Sequence, residues 1–132
     1  MTERDDETRA RIREHWDASE RGDGATEQAI YAADAILDYP QSGERFTGRE
    51  GIQSQRDGNP ADRHFTLRRI RGGGDLWVSE VTITYDGAPS YSVSIMEFAD
   101  GEVAHETQYF ADPFPAPASR ASIASAIPAD ER

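Results

Sequence analysis

Apolar residues recur at helical intervals along the first third of the chain and alternate with polar ones from Arg63 onward. Between Asp5 and Arg21 there is no Pro or Gly, and Ile12, Trp16 and Ser19 fall on one stripe at helical spacing. The stripe is thin, so this helix is expected to cover a surface and not to form the centre of a core. Gly22-Asp23-Gly24 ends it, and Ala25 to Ala33 predicts a second helix with Ala29, Ile30 and Ala33 on one side. Ala35 to Tyr39, short and apolar before Pro40, reads as a strand entering the turn-rich loop PQSGERFTG. Arg49 to Arg56 predicts a short helix before the breaker Gly58-Asn59-Pro60.

Four strand-like runs follow: HFTLRRIR, LWVSEVTITY, SYSVSIMEF and EVAHETQYF. The links between them, built on Gly72-Gly73-Gly74-Asp75, Asp86-Gly87-Ala88-Pro89 and Asp100-Gly101, are too short for crossover helices. They predict antiparallel neighbours in a meander. Helices first and a meander afterwards predict an α+β fold with the helices on one face of the sheet. After Ala111 the chain turns Pro- and Ala-rich. Residues 1–112 are therefore expected to form one domain, and 113–132 a tail that docks at Phe114 and then frays. A short helix from Ser119 to Ile127 is the alternative for its second half.

Alternation sorts the strand residues into two faces. Trp77, Ser79, Val81, Ile83 and Tyr85 share one face, as do Ser90, Ser92, Ser94, Met96 and Phe98, and Ala104, Glu106, Gln108 and Phe110. Val93, Ile95, Val103, His105 and Tyr109 fall on the other. Neither face of the last two strands is cleanly polar, so each needs a cover: helices on one side, a second subunit on the other. The alternative is a sheet with a few exposed aromatics.

Composition narrows the chemistry. A chain of 132 residues holds one core of useful size. Its formal charge of -11, with no basic stripe, argues against nucleic acid and anionic membranes as partners. Cysteine is absent, which excludes disulfides, thiolate metal sites and a cysteine nucleophile. The charged start MTERDDETRARIREHW does not read as a signal peptide, and no apolar run approaches membrane-spanning length. A cytoplasmic protein is expected. His64 and His105 lack metal-ligand spacing, so no metal site is expected. No G-x-S-x-G elbow is present, and Gly72-Gly73-Gly74 joins strands instead of opening a phosphate-binding helix. Arg68, Arg69 and Arg71 read as a solvated sheet edge.

The segments YAADAILDYPQSGERFTGREGI (Tyr31 to Ile52), GDLWVSEVTITYDG (Gly74 to Gly87) and MEFADGEVAHETQYFADPF (Met96 to Phe114), in this order, resemble the nuclear transport factor 2-like superfamily. Within it the chain looks closest to the SnoaL-like, polyketide-cyclase-like proteins. The resemblance covers about residues 8 to 114 and implies a cystatin-like cone: a bent sheet closed by helices around a hydrophobic pocket. It also implies a homodimer through the convex sheet face. Relatives include ketosteroid isomerases, scytalone dehydratase, limonene epoxide hydrolase, polyketide cyclases and non-catalytic binders, so the fold alone names no reaction. Residue by residue, the base aspartate of the ketosteroid isomerases falls at Tyr39, their oxyanion-hole tyrosine at His15 and their protonated acid at Ser94. The last-strand aspartate of the cyclases falls at Gln108.

Glu106, on the inner face among Trp, Phe and Met, is the leading candidate. Desolvation disfavours its charged form, which suits a general acid or base. The competing reading is a carboxylate paired with Arg or His to hold the cone together. His15 is expected at the cavity mouth, as acid or orienter beside Glu106, or simply exposed. Tyr39 is placed as a hydrogen-bond donor to a carbonyl, and Arg56 as a clamp for a carboxylate or phenolate or as a partner of Glu44 or Glu50. Trp16, Arg56, Trp77, Ser79, Val81, Ser94, Met96, Phe98, Gln108 and Phe110 are expected to line the pocket. These residues together describe a cofactor-independent isomerase, cyclase or dehydratase acting on a small hydrophobic carbonyl compound. A dimeric binding protein for an apolar ligand is the other reading.

Overall fold

The computed structural model describes residues 2–132. Helix α1 spans Glu3–Arg21. The Thr2 hydroxyl caps it by accepting from the Asp5 N–H at 3.0 Å, and Glu3, Asp5 and Asp6 place negative charge at its positive end. It stops at Gly22, whose φ of 71° suits a residue without Cβ. Its buried stripe is Ile12, His15, Trp16 and Ala18. The stripe lies against the strand Arg63–Gly73, and the Arg9 guanidinium sits 5.2 Å from the Trp77 ring centroid.

Helix α2 is shorter than the sequence predicts. It spans Gly24–Gln28, capped by Asp23, and the chain is already strand β1 from Tyr31 to Tyr39. Tyr31, Ala35 and Leu37 are fully buried there, and the ladder with a neighbouring strand supplies hydrogen bonds that an isolated alanine-rich turn lacks. The segment read as a pure loop also contains a strand, β2 (Glu44–Thr47), paired antiparallel with β1. Its Phe46 packs edge-on against Tyr39 at 5.1 Å. Helix α3 follows at Gly48–Asp57 and buries Ile52 and Arg56, one turn apart.

Strands β3 (Arg63–Gly73), β4 (Leu76–Tyr85), β5 (Ala88–Ala99) and β6 (Glu102–Ala111) form the antiparallel meander. The six strands run in the order β2-β1-β6-β5-β4-β3, and β1 adds a parallel pairing with β6. The sheet is thus mixed, curved and unclosed, with β3 and its exposed Arg68, Arg69 and Arg71 at one edge. At the β3–β4 hairpin a Cβ on Gly72 would lie 2.3 Å from the Leu76 carbonyl oxygen, so only glycine fits.

Alternation holds along β4 and β5, where Trp77, Ser79, Val81 and Ile83 and then Ser90, Ser92, Ser94, Met96 and Phe98 point inward. It breaks at the start of β6. Phe98 pairs with Val103 and Glu97 with His105, leaving Ala104 as a bulge. The bulge turns Val103 inward, fully buried, where strict alternation puts it outside. Beyond it His105 faces outward to Asp38 at 2.8 Å, and Glu106 faces inward.

The tail does not dock at Phe114, which is 77% exposed because no apolar surface faces it. The rest of the tail makes 3-10 turns at Ala118–Arg120 and Ala129–Glu131, with no α-helix from Ser119 to Ile127.

Candidate functional site

A cavity of about 510 Å³ lies at the end of the sheet where β4 and β6 finish and β5 begins. Trp16, Phe65, Ile83, Tyr85 and Phe110 form much of its wall. Polar groups enter from every side: Ser19 from α1, Glu27 from α2, Tyr39 from β1, Gln55 and Arg56 from α3, and Gln108 from β6. Gln41 fixes the rim by bonding both backbone groups of Phe110, its Nε2 donating to the carbonyl at 2.5 Å and its Oε1 accepting from the N–H at 2.6 Å.

Beneath this cavity lies a buried charge network. Glu106 has no exposed surface; it accepts hydrogen bonds from the Tyr31 hydroxyl and from the Ser94 hydroxyl, the latter at 2.5 Å. Arg56 Nη2 donates to Tyr31 Oη at 2.9 Å and lies 3.6 Å from Glu106 Oε1. Its Nη1 lies 3.9 Å from Glu27 Oε1, and the Ser19 hydroxyl holds the other oxygen of Glu27. Burial raises the Tyr31 phenol well above its ordinary value, so it stays protonated and can donate to Glu106 while accepting from Arg56. Burial works against the Arg56 cation, but the oxygens of Tyr31, Glu106 and Glu27 outweigh it and raise its pKa.

His15 is fully inside the helix–sheet interface, not at the cavity mouth. Its Nδ1 lies 2.8 Å from the Glu27 carbonyl oxygen, which assigns the ring proton to Nδ1. Burial, and then the Arg56 cation, lower the imidazole below its ordinary value and keep it neutral near pH 7. No hydrogen bond joins His15 to Glu106, so the expected dyad does not form; Tyr31 and Ser94 take the carboxylate instead.

Of the residues expected at the site, Tyr39, Trp16, Arg56, Gln108 and Phe110 line the cavity. Glu106 and Ser94 belong to the network below it. Trp77, Val81, Met96 and Phe98 belong to the buried hydrophobic core and Ser79 is buried too; none of the five lines the cavity. Trp77 Nε1 donates to the Gly74 carbonyl at 2.9 Å. Arg56 pairs with Glu27 and Glu106, not with Glu44 or Glu50, because its position on α3 faces the sheet. Tyr39 accepts from Gln55 Nε2 at 3.0 Å, and burial raises its phenol to about 12, so its own proton remains available for donation.

Two residues were not legible in advance. Tyr31 falls within the stretch whose composition predicts a helix, and Glu27 sits in a five-residue helix that no apolar periodicity marks. Glu27 is nonetheless the one carboxylate that is nearly buried, 8% exposed, and still lines the cavity. Two buried donors of residues on the same cavity wall make no hydrogen bond within the protein: Arg56 Nη1, which lies 3.9 Å from Glu27 Oε1, and Trp16 Nε1. Among the described residues no three His, Asp or Glu side chains gather as metal ligands would, and no helix is long and apolar enough to cross a membrane.

A family model described as the SnoaL-like domain matches residues 12–106. An NTF-2 like protein of unknown function from Burkholderia xenovorans is 50% identical, with 92% of this chain and 96% of that one covered and a TM-score of 0.87. A Kribbella flavida protein, provisionally assigned as a ketosteroid isomerase, is 25% identical over 96% of this chain and 93% of its own, with a TM-score of 0.86. An LEH-like epoxide hydrolase of M. tuberculosis shares the fold at 17% identity, covering 80% of this chain and 84% of its own, with a TM-score of 0.68. No curated protein matches the chain significantly.

Proposed function

The chain belongs to the SnoaL-like domain family, and on that premise we propose that its cavity binds a small, largely apolar carbonyl compound and moves a proton on it. The observation that carries this reading is Glu27, a nearly buried carboxylate on the wall of an aromatic cavity whose wall residues Arg56 and Trp16 each hold a donor that makes no hydrogen bond within the protein. Glu106, sealed and bonded on both oxygens, is assigned to holding the network and Glu27 to the chemistry. Glu27 takes the proton from the carbon next to the carbonyl, and the C–H electron pair becomes the new double bond of an enolate. The negative charge passes from the carboxylate to the carbonyl oxygen, where Arg56 Nη1 and Trp16 Nε1 can receive it. The total charge of the site is unchanged. Return of the proton to a different carbon completes an isomerisation. Tyr39, protonated at neutral pH, offers a hydrogen bond to a further oxygen of the ligand. The provisional assignment of the Kribbella relative points to the same reaction class.

Tryptophan fluorescence tests the binding. A Trp77→Phe variant leaves Trp16 as the reporter, and titration with 2-tetralone should change its emission saturably. Addition of Tyr39→Phe should leave 2-tetralone binding within a few-fold, whereas Arg56→Met should weaken it. No saturable change with 2-tetralone or larger bicyclic ketones would remove the pocket reading.

We also propose a second copy of the chain on the outer sheet face, supported by Tyr91, Val93 and Tyr109, which are 36%, 37% and 42% exposed there.

A further inference from the structure

Strands β3 and β4 meet the cavity in two successive cross-strand pairs. Phe65 stands opposite Ile83 and Arg63 opposite Tyr85, and all four side chains line the cavity. Residues directly opposite in an antiparallel ladder are near neighbours on one face. Ile83 is buried, whereas Arg63 begins β3, Tyr85 ends β4, and both are half-buried. The next inward residues of β3 after Arg63 are Phe65 and Leu67, which pack against the core. An arginine thus stands where the alternation of the strand calls for an apolar side chain.

The cavity wall holds two arginines, and their bonding differs. Arg56 is taken up by Tyr31, Glu106 and Glu27. Arg21, Arg45, Arg49 and Arg69, outside the cavity, each find a carboxylate. Arg63 pairs with no carboxylate among the described residues. The wall acids outside the buried network are Glu44 and Asp112. Glu44 lies on β2, at the opposite edge of the sheet from β3. Burial raises the Tyr85 phenol above its ordinary value, and Arg63 and then Arg56 act against that rise. The phenol is therefore protonated near neutral pH, with both cations close to its oxygen, and it makes no hydrogen bond among the described residues.

We infer that Arg63 and Tyr85 form an anion subsite that reads a carboxylate on the carbonyl compound, which makes the ligand an aromatic or alicyclic keto acid. The inference rests on the proposed proton-transfer cavity and names its substrate class. A guanidinium offers paired N–H donors that match the two oxygens of a carboxylate, and the phenol adds a third donor. One free cation suits one negative charge; a phosphate ester, with nearly two, finds no second unpaired cation in this wall. The net charge of -11 opposes anions over the surface as a whole, so recognition of an acid depends on this contact. Binding energy from a group that takes no part in the reaction then positions the carbon next to the carbonyl. Arg63 is on this account a specificity residue, and the chemistry stays with Glu27.

Calorimetric titration of the full chain with 2-tetralone and with its 6-carboxylate, near neutral pH, tests it in wild type, Arg63→Gln and Tyr85→Phe. Wild type should bind the acid about 10-fold or more tightly than the neutral ketone, the scale of one charge-assisted contact. Arg63→Gln should bring the two dissociation constants within about three-fold of each other, and Tyr85→Phe should lower the preference partway. The ratio is taken within each variant, so a loosened wall that weakens both ligands together does not imitate the effect. Wild type that binds 2-tetralone and shows no preference for the acid overturns the subsite and leaves the pocket reading standing. A preference that survives Arg63→Gln does the same, and one indifferent to Tyr85→Phe overturns the part given to the phenol. Binding of neither ligand overturns the subsite together with the pocket reading beneath it.

Discussion

Replacing Arg56 with Met should unfold the site from below. Arg56 is 9% exposed and, among the described residues, is the one cation paired with Glu106, which has no exposed surface and lies 3.6 Å away. Met keeps the length and apolar stem of the side chain and removes the charge, so Glu106 is left ionised in the core or must take up a proton. Tyr31 loses its donor in the same step. Breaking one half of a buried ion pair costs about 3–5 kcal/mol. In a domain of this size that lowers Tm by roughly 9–25 °C, at about 3–5 °C per kcal/mol. Urea unfolding at fixed protein concentration measures the loss directly. The double variant Arg56→Met/Glu106→Leu removes both charges and should recover most of it, because an apolar pair needs no compensation. A single variant within about 1 kcal/mol of wild type, the scale of an ordinary surface change, would refute the reasoning. So would a double variant no better than the single.

The two inward carboxylates should separate cleanly. Glu106→Gln is expected to lower stability and leave ligand binding within a few-fold, whereas Glu27→Gln should keep the fold and lower proton transfer by about 100-fold or more, the usual scale for a general base; urea unfolding and an exchange assay read the two effects. His15 gives a pH signature. Its folded value is depressed by burial, so its contribution to stability is full above the unfolded value of about 6.5 and is lost as pH falls below it. His15→Gln should therefore flatten the fall in unfolding free energy between pH 6.5 and pH 5 (roughly the window in which the unfolded imidazole charges), and an unchanged slope would contradict a buried neutral imidazole. Gly72→Ala should cost more than about 2 kcal/mol, since its Cβ would overlap the Leu76 carbonyl at 2.3 Å; a thermal melt suffices to check it.

How far the sequence is readable depends on what each residue answers to. The inward sets of β4 and β5 follow strict alternation because nothing interrupts the ladder between them, so the pattern puts Trp77, Ser79 and Val81, like Ser94 and Met96, on the correct face. The bulge at Ala104 is invisible in a pattern of apolar and polar letters, which is why Val103 was placed outside. Tyr31 to Ala33 continues an alanine-rich run, and what marks it as strand, the pairing of Tyr31 with Val103 of β6, comes from a distant part of the chain. The position of Glu106 inside was legible; its bonding was not, because Tyr31 and Arg56 come from elements 75 and 50 positions earlier. Glu27 is not legible in the sequence because a carboxylate in a five-residue helix reads as solvated until Ser19 and Arg56 close around it. Trp77, Met96 and Phe98 face the right way yet belong to the core and not to the cavity wall, and position along a strand leaves no mark in alternation.

Exchange of the α-protons of 2-tetralone in D₂O, followed by proton NMR with wild type and Glu27→Gln side by side, tests the central claim most directly. It asks only whether the cavity moves a proton next to a carbonyl, and it needs no knowledge of the natural substrate. The expected result is deuteration well above the buffer rate with wild type, reduced about 100-fold or more in Glu27→Gln while Glu106→Gln retains it. Exchange at the buffer rate with saturated wild type, or equal rates in wild type and Glu27→Gln, would contradict the assignment of proton transfer to this cavity and to Glu27.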